Sequence, residues 1–347
     1  MSIREELPTR RFGTTDMEIT PVGLGAWAIG GGGWAFGWGP QDDRASIDAI
    51  KHAVRSGINW VDTAAVYGYG HSEEIVGRAL RELPWAERPL VFTKGGMRWY
   101  ADDFMREPQK NLQPASIRSE VEASLRRLGV ERIDLYQFHW PDETGTPIEE
   151  SWAELLRLRE EGKLRAIGVS NFDVPLLERS QALGHVDSLQ PPFSLINRSA
   201  GGNVIPWAEA NGTGVIVYSP MQSGLLSGRF TAERVAALAE DDWRRSGPQF
   251  NEPRLARNLQ LAEWLRPIAE AHQESVGAVA VAWTLAWSGV TGAIVGARSP
   301  EQVDGWIGAA GLRLNDAELD SITAAIETTG AGQGPVAPLV ATGAGRR

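Results

Sequence analysis

The sequence of 347 residues contains no cysteine. This absence excludes disulfides, thiolate nucleophiles and zinc or iron–sulfur sites with cysteine ligands. The five histidines show no paired spacing of the kind that binds a metal ion, so we predict no metal site. Lysine is also scarce, because only four of the 34 basic residues are lysine. A lysine inside an apolar strand therefore stands out.

Long apolar runs and an excess of positive charge are missing as well. No apolar stretch is long enough for a transmembrane helix, and the charged N-terminus lacks the apolar segment of a secretory signal. The formal net charge of −10 disfavours a nucleic-acid or anionic-membrane surface. We therefore expect a soluble cytoplasmic protein that binds neither nucleic acid nor membrane, and the sequence indicates no oligomeric state.

Short apolar strands alternate with amphipathic helices from residue 22 to about residue 310, including one long helix predicted over 255–273. Eight strand–helix pairs in one domain are typical of an α/β protein of the (β/α)8 TIM-barrel class. A doubly wound sheet usually has fewer strands and a glycine-rich first turn that opens directly into a helix. Here the glycines of 30–33 lie in a long tryptophan-rich loop, and Asp42 or Asp43 caps the next helix.

Three further segments complete the predicted architecture. Residues 7–20 have two strand-like pieces around a turn, which predicts a β-hairpin that plugs the bottom of the barrel. A C-terminal helix begins with a capping box between Asn315 and Glu318 and is extra to the eightfold count. We assign residues 1–329 to the barrel domain and predict a flexible tail rich in Gly, Pro and Ala over 330–347.

Four titratable side chains follow three consecutive strands, at the strand ends where such barrels place their chemistry. Asp62 ends the second strand and Tyr67 follows it. Lys94 ends the third strand and His139 ends the fourth. A buried Lys94 would need a carboxylate partner, which Asp62 could supply. Considered singly, Asp62 could instead cap a turn, and Tyr67 and His139 could be ordinary packed residues.

Together these four side chains can transfer a proton to a carbonyl oxygen. A phenol has an ordinary pKa of about 10, and the Lys94 ammonium is expected to lower the pKa of Tyr67 toward the working range. Asp62 would hold Lys94 in place, and His139 would donate a hydrogen bond to the carbonyl oxygen. A reduction also needs a hydride, which implies a cofactor because no side chain supplies one.

The stretch from Asp62 to Gly68, with Ser72, Glu73 and Gly77 after it, resembles the signature of the aldo-keto reductase superfamily. Other motifs agree in order and spacing over about residues 10–328: Thr93-Lys94, Asp134-Leu135-Tyr136 before His139, Gly168 to Phe172, Gln190, Tyr218-Ser219-Pro220, and Gly296-Ala297-Arg298 with Gln302. The resemblance implies an NADP(H)-dependent oxidoreductase that reversibly reduces a small-molecule aldehyde or ketone to the alcohol. Its catalytic tetrad would be Asp62, Tyr67, Lys94 and His139, with Tyr67 as the general acid.

The same resemblance implies the residues that bind NADPH. Ser170, Asn171 and Gln190 would hold the nicotinamide carboxamide, and Tyr218 would stack on the nicotinamide ring. Arg298 would bind the ribose 2′-phosphate, which agrees with the phosphate sites that barrels place after strands seven and eight. The full set of expected cofactor contacts is Gly25, Ala26, Trp27, Ser170, Asn171, Gln190, Tyr218, Ser219, Pro220, Met221, Gln222, Ser223, Leu225, Arg229, Gly296, Arg298 and Gln302.

Three of the positions near the adenosine end have a second interpretation. Arg229 is either another phosphate ligand or a solvated loop residue. Gln302 either contacts the adenine or belongs to a capping box that begins at Ser299. Trp306 stands where many relatives have an asparagine that faces the adenine, so it either stacks on the adenine or packs in the core.

The substrate pocket is expected to be formed by aromatic residues of the loops at the barrel mouth. The candidates are Trp34, Phe36, Trp38, Trp99 and Trp140. Such a pocket favours bulky, uncharged, apolar or ring-bearing carbonyl compounds, unless these aromatics only pack the loops onto the barrel. Sugars also stack on tryptophan and are a second candidate class. The loop Gly30–Gly39 is therefore either a mobile lid over the substrate or a segment anchored on the rim.

Two other functional classes compete with the reductase. A non-catalytic NADP(H)-binding regulatory module, similar to potassium-channel β subunits, would share the scaffold, but the complete set of four catalytic side chains favours an enzyme. A metal-dependent hydrolase barrel is disfavoured because neither paired histidines nor cysteines are present.

Overall fold

The computed structural model describes residues 7–238 and 242–337. Its strands are β1 (Arg10–Arg11), β2 (Glu18–Ile19), β3 (Val22–Gly25), β4 (Trp60–Asp62), β5 (Leu90–Gly95), β6 (Met97–Arg98), β7 (Gln109–Lys110), β8 (Ile133–Phe138), β9 (Leu164–Ser170), β10 (Ser188–Gln190), β11 (Gly214–Val217) and β12 (Gly292–Gly296). Eight of them, β3, β4, β5 and β8 to β12, pair in parallel and close into a barrel, which confirms the predicted fold class.

Helices surround this barrel. They are α1 (Asp43–Arg55), α2 (His71–Glu82), α3 (Pro114–Leu128), α4 (Ile148–Glu160), α5 (Val174–Gln181), α6 (Val204–Asn211), α7 (Ala232–Ala236), α8 (Arg254–Trp264), α9 (Arg266–His272), α10 (Val276–Ala286), α11 (Pro300–Asp304) and α12 (Asp316–Thr329). None of the helices in the described part of the chain is long and apolar enough to cross a membrane.

Local sequence signals place most of these helix ends correctly. The Asp42 carboxylate caps α1 by accepting a hydrogen bond from the backbone of Ala45, and the predicted capping box of Asn315 and Glu318 begins α12. The single helix predicted over 255–273 is wrong, because the chain breaks there into α8 and α9. Pro267 lies in the first turn of α9, and proline cannot donate the backbone hydrogen bond that a continuous helix needs.

The N-terminal hairpin closes the bottom of the barrel, as predicted. Strands β1 and β2 pair in antiparallel register, and Phe12, Met17 and Ile19 of this hairpin are buried. They pack against inward-facing strand residues such as Trp60 and Phe92 in one apolar cluster. The bottom is therefore filled with apolar side chains, and the polar groups of the barrel interior are left at its opposite end.

The C-terminal segment that follows α12 is described only as far as residue 337. Residues 330–337 lie against the segment around Arg198, whose side chain donates hydrogen bonds to Ala331 O (3.1 Å) and Pro335 O (3.1 Å). Backbone hydrogen bonds with Gln333 add to these contacts. The start of the predicted tail is therefore held against the barrel, and residues 338–347 lie outside the described residues.

Candidate active site

A buried ion pair forms at the C-terminal end of the barrel, where β4 and β5 lie side by side. Lys94 Nζ lies 2.5 Å from Asp62 Oδ1 and also donates to the backbone oxygen of Thr63 at 2.9 Å. Gln190 Nε2 donates to the second carboxylate oxygen of Asp62 at 3.0 Å. Burial raises the pKa of Asp62 and lowers the pKa of Lys94, while their mutual attraction opposes both shifts. Asp62 is thus the partner expected for Lys94.

A second buried carboxylate holds the helix-facing side of β5, the strand that carries Lys94. Glu73 of α2 is fully buried and accepts hydrogen bonds from Thr93 Oγ1 (2.6 Å) and Arg127 Nε (2.7 Å). The hydrogen bond to Glu73 shows that the Thr93 side chain faces the helices. Because neighbouring residues of a strand point to opposite faces, the Lys94 side chain points into the barrel. This contact ties the end of β5 to α2 and α3.

Tyr67 lies beside the ion pair, with its hydroxyl oxygen 3.4 Å from Lys94 Nζ. Its position depends on a close backbone contact between two loops. A Cβ on Gly30 would come within 2.8 Å of the backbone nitrogen of Gly68, and a Cβ on Gly68 within 2.3 Å of Gly30 O. Gly68 also has a φ of 58°. Because no other residue fits this contact without displacement, these two glycines hold Tyr67 at the mouth.

The pKa of Tyr67 is shifted in the direction opposite to the sequence-based expectation. Burial and the Asp62 carboxylate raise it well above its usual value. The Lys94 ammonium does not reverse this shift, because its charge is already paired with Asp62 at 2.5 Å. The phenol therefore keeps its proton at neutral pH, as a proton donor must.

His139 lies directly after β8 and faces the Tyr67 ring, with 5.6 Å between the ring centroids. Burial and the Lys94 charge hold the pKa of His139 well below its usual value, so the imidazole is neutral at physiological pH. Its Nδ1 is buried and has no partner among the described residues. The four predicted titratable side chains thus meet at one end of the barrel.

The residues expected to hold the carboxamide also come together. Tyr218 donates its hydroxyl proton to Asn171 Oδ1 (2.8 Å), and Asn171 Nδ2 donates to Ser170 Oγ (3.1 Å) and His139 O (3.0 Å). Ser170 Oγ in turn donates to Gln190 O at 2.8 Å. These contacts fix the orientation of the Tyr218 ring and link β8, β9, β10 and β11 at their C-terminal ends.

The segment after β11 contains several residues with left-handed backbone angles. Ser219, Gln222 and Ser223 have φ values of 55°, 47° and 53°, and Gly224 has a φ of 100°. Left-handed residues next to right-handed ones turn successive N–H groups toward a common concave side. The remaining predicted contacts of this segment, Pro220, Met221 and Leu225, lie in the same turn. Gln222 is held by Ser194 Oγ, which donates to its side-chain oxygen at 2.9 Å.

Arg298 follows β12 and contacts the glycine-rich loop rather than an acidic residue. Its Nε donates to Gln41 Oε1 (2.5 Å), and its terminal nitrogens donate to the backbone oxygens of Trp38 (3.4 Å) and Pro40. Within the described residues it makes no ion pair, so its charge is not neutralised by a carboxylate. Gly296, at the end of β12, lies opposite Gly25 of β3, and Ala26 and Trp27 follow Gly25 directly.

The other positions expected at the adenosine end differ in their surroundings. Arg229 is exposed, as a solvated loop residue would be. Ser299 precedes α11 but its side chain caps no backbone group, and Gln302 Oε1 instead accepts a hydrogen bond from Arg298 N (2.9 Å). Trp306 is 2% exposed and belongs to the hydrophobic core, so the packing interpretation holds.

The loop Gly30–Gly39 is anchored on the rim at several points. Trp34 is 4% exposed, and its indole nitrogen donates to Gly31 O at 3.0 Å. Trp27 Nε1 donates to Phe36 O at 3.1 Å, and Ala35 N donates to Phe104 O at 3.0 Å. These contacts agree with the anchored form of the loop.

The two other predicted pocket aromatics lie close to Tyr69 and Tyr67. Trp99 stacks on Tyr69 with 5.3 Å between the ring centroids, and Trp140 packs with Tyr67 in a small apolar cluster. Reasoning from the sequence missed a further aromatic at the mouth. Trp243, from the long segment after α7, stacks on Trp27 at 6.3 Å. The available signal was a tryptophan between two charged residues in the loop that follows the seventh barrel strand.

No group of three or more His, Cys, Asp or Glu side chains in the described part of the chain is arranged to hold a metal ion. The titratable groups that meet at the mouth are the buried Asp–Lys pair, the phenol and the imidazole. A model of a protein family described as the aldo/keto reductase family matches residues 21–327. The chain belongs to this family.

Several relatives support the assignment. The chain is 38% identical over 318 residues to the NADH-specific methylglyoxal reductase of Escherichia coli, which covers 88% of this chain and 94% of that protein. It is 37% identical over 316 residues to the aldo-keto reductase YhdN of Bacillus subtilis, with 91% of this chain and 92% of that protein covered.

Solved structures agree with these relatives. The glycerol dehydrogenase AKR11B4 of Gluconobacter oxydans superposes with a TM-score of 0.85 at 39% identity, over 94% of this chain and 97% of that one. The aldo-keto reductase AKR11C1 of Bacillus halodurans, in its holo form, superposes with a TM-score of 0.76 at 25% identity, over 92% of this chain and 96% of that one. Aldo-keto reductases are oxidoreductases that act on carbonyl compounds with nicotinamide cofactors, and this chain is one of them. The regulatory-module alternative is not favoured.

Proposed function

We propose that the protein reduces aldehydes or ketones reversibly with NADPH, and that Tyr67 donates the proton while Asp62, Lys94 and His139 support it. The observation that carries this proposal is the position of Lys94 Nζ, which is 2.5 Å from Asp62 and 3.4 Å from the Tyr67 hydroxyl. A buried cation in that position stabilises the phenolate that Tyr67 becomes when it gives up its proton.

The residues at the mouth fit an extended nicotinamide dinucleotide. The side chains of Ser170 and Asn171, which are hydrogen-bonded to each other, and the neighbouring Gln190, whose backbone oxygen accepts from Ser170, offer hydrogen-bonding groups for a carboxamide. The half-buried Tyr218 ring is held in one orientation beside them. The left-handed turn after β11 fits phosphate groups, and so does Arg298, which has no carboxylate partner among the residues that the structure describes. When bound, NADPH supplies a hydride to the carbonyl carbon.

The chain itself supplies the proton and the hydrogen bonds. Tyr67 transfers its hydroxyl proton to the carbonyl oxygen as the carbon receives the hydride, which completes the alcohol. Lys94 stabilises the resulting phenolate, and Asp62 holds Lys94 charged and in place. His139 is neutral and can donate one N–H to the same carbonyl oxygen, which orients the substrate and stabilises the negative charge that develops there.

A panel of carbonyl compounds tests the reaction and its substrate class. The aromatic residues at the mouth favour ring-bearing carbonyls such as benzaldehyde. The names of two relatives mention methylglyoxal and glycerol, which favours small oxygen-rich carbonyls such as methylglyoxal and glyceraldehyde. Each compound would be assayed with NADPH and with NADH by the loss of nicotinamide absorbance. No turnover of any member of the panel would contradict the proposal.

Arg298 is expected to set the preference for NADPH, although the Escherichia coli relative is NADH-specific. Arg298→Ala should weaken NADPH binding about 10- to 100-fold and change NADH binding little, because a charged hydrogen bond to phosphate contributes roughly 1.5–3 kcal/mol. Fluorescence titration of both cofactors measures this difference. The exposed Arg229→Ala is the matched control and should leave the ratio of the two Kd values unchanged. Equal losses for both cofactors in Arg298→Ala would remove Arg298 from the 2′-phosphate site.

A further inference from the structure

Two loops meet over the barrel mouth and bury two indole N–H groups there. Trp38 comes from the loop Gly30–Gly39 and Trp243 from the segment that precedes α8, and their ring centroids are 6.5 Å apart. Both rings also contact Trp27, at centroid distances of 5.6 Å and 6.3 Å. The Nε1 atoms of Trp38 and Trp243 are buried and have no acceptor among the described residues.

The neighbouring indoles of the same cluster are satisfied. Trp27 Nε1 donates to Phe36 O (3.1 Å), and Trp34 Nε1 donates to Gly31 O (3.0 Å). Leaving a buried donor unpaired is unfavourable, because the group has lost its hydrogen bond to water and gained none. Within the part of the chain that the structure describes, these two donors at the mouth are therefore left for an oxygen of a bound ligand.

The position of the pair limits what this acceptor can belong to. Trp27 stacks on Tyr67 at 6.2 Å, so the cluster reaches the phenol that protonates the carbonyl. On the other side, Arg298 donates to Trp38 O. The two ligands of the proposed reaction offer two kinds of oxygen for these donors: a hydroxyl of the substrate, and a ribose or phosphate oxygen of the cofactor.

The local charge favours an uncharged hydroxyl oxygen over a phosphate oxygen. Arg244 adjoins Trp243, and its guanidinium carbon lies 4.9 Å from the Trp38 ring centroid. The Arg244 charge is neutralised by Asp242, with 2.6 Å between Nη2 and Oδ2. A phosphate oxygen is matched better by the charged side chain of Arg298 than by the two indole donors, which are uncharged and match an uncharged acceptor.

We propose that Trp38 and Trp243 are specificity-determining residues whose indole N–H groups bind a hydroxyl oxygen of the substrate. The proposal rests on the carbonyl reduction proposed above and names the substrate class, a hydroxy-aldehyde or hydroxy-ketone. The aromatic faces contact the carbon atoms of such a compound, and the two donors distinguish it from an alkyl carbonyl of the same length.

The test compares glyceraldehyde with propanal, which have the same carbon chain with and without hydroxyl groups. The variants Trp38→Phe and Trp243→Phe keep an aromatic ring and remove only the donor and part of the ring area. In each variant the ratio of kcat/KM for glyceraldehyde to kcat/KM for propanal should fall about threefold to tenfold, as expected for one lost hydrogen bond. Trp85→Phe, at a site that is 82% exposed, is the matched control and should leave the ratio unchanged.

Two results would overturn the proposal. The first is an unchanged ratio in both variants together with an unchanged Kd for NADPH, which would show that the donors bind no ligand oxygen. The second is an unchanged ratio with a Kd for NADPH raised by a similar factor, which would assign the donors to the cofactor. A failure of the proposed reduction itself looks different, because the unmodified protein would then consume no NADPH with either aldehyde.

Discussion

Replacing Tyr67 with phenylalanine is expected to leave NADPH binding nearly unchanged and to lower kcat for carbonyl reduction on the order of 10²–10⁴-fold, the usual contribution of a general acid. Among the described residues the hydroxyl makes one long contact, 3.4 Å from Lys94 Nζ, so its loss should disturb the fold little. Cofactor fluorescence titration and steady-state rates on a good substrate measure the two effects.

The matched control for this change is Tyr69→Phe, since Tyr69 lies two residues further along the chain and donates its hydroxyl proton to Phe104 O (2.7 Å) at the loop surface. The kcat of Tyr69→Phe should stay within about threefold of that of the unmodified enzyme, because this change removes a loop contact and no proton donor. A kcat for Tyr67→Phe within the same factor would remove Tyr67 from the role of general acid.

Lys94→Met is expected to lower kcat as strongly as Tyr67→Phe and, unlike it, to destabilise the fold. The change leaves the Asp62 carboxylate buried with Gln190 as its one remaining side-chain partner in the described part of the chain. Breaking a buried pair from one side typically costs about 3–5 kcal/mol of the free energy of unfolding. Denaturant unfolding measured beside kcat separates the two effects.

The loss of stability in Lys94→Met should also depend on pH. Without the cation, burial raises the pKa of Asp62 further, so the folded state binds a proton more readily than the unfolded state does. The loss of unfolding free energy in Lys94→Met should therefore grow as pH rises and shrink as pH falls.

Asp62→Asn should lower kcat less than Lys94→Met, because Lys94 stays beside the phenol. The reverse order would contradict the assigned roles.

The barrel could be predicted from the sequence because its evidence is local and repeated. Each strand is a short apolar run and each helix has its own apolar stripe, so eight repeats define the class even if single boundaries are imprecise. The error at 255–273 has a local cause as well. Pro267 breaks a stretch whose apolar pattern continues on both sides, and pattern alone does not show whether a helix bends or ends there.

The site was predictable to the extent that it depends on strand ends. Asp62, Lys94 and His139 end consecutive barrel strands, so the topology alone brings them together. The direction of the pKa shift of Tyr67 was not predictable, because it depends on a three-way balance of burial, Asp62 and a lysine that is already paired. The contact of Trp243 with Trp27 joins two loops far apart in the sequence, and no spacing rule relates them.

The pH dependence of the reduction step in the unmodified enzyme tests most directly whether a protonated Tyr67 drives the chemistry. The enzyme–NADPH complex would be mixed with a good aldehyde substrate, and the single-turnover rate constant would be recorded across pH. Because the pKa of Tyr67 is raised and that of His139 is lowered, the rate constant should be level from about pH 6 to about pH 9, where both groups keep the required form. A decline of the rate constant with a midpoint near pH 7 to 8, roughly two units or more below the ordinary pKa of a phenol, would contradict the role of a protonated Tyr67 in the reduction step.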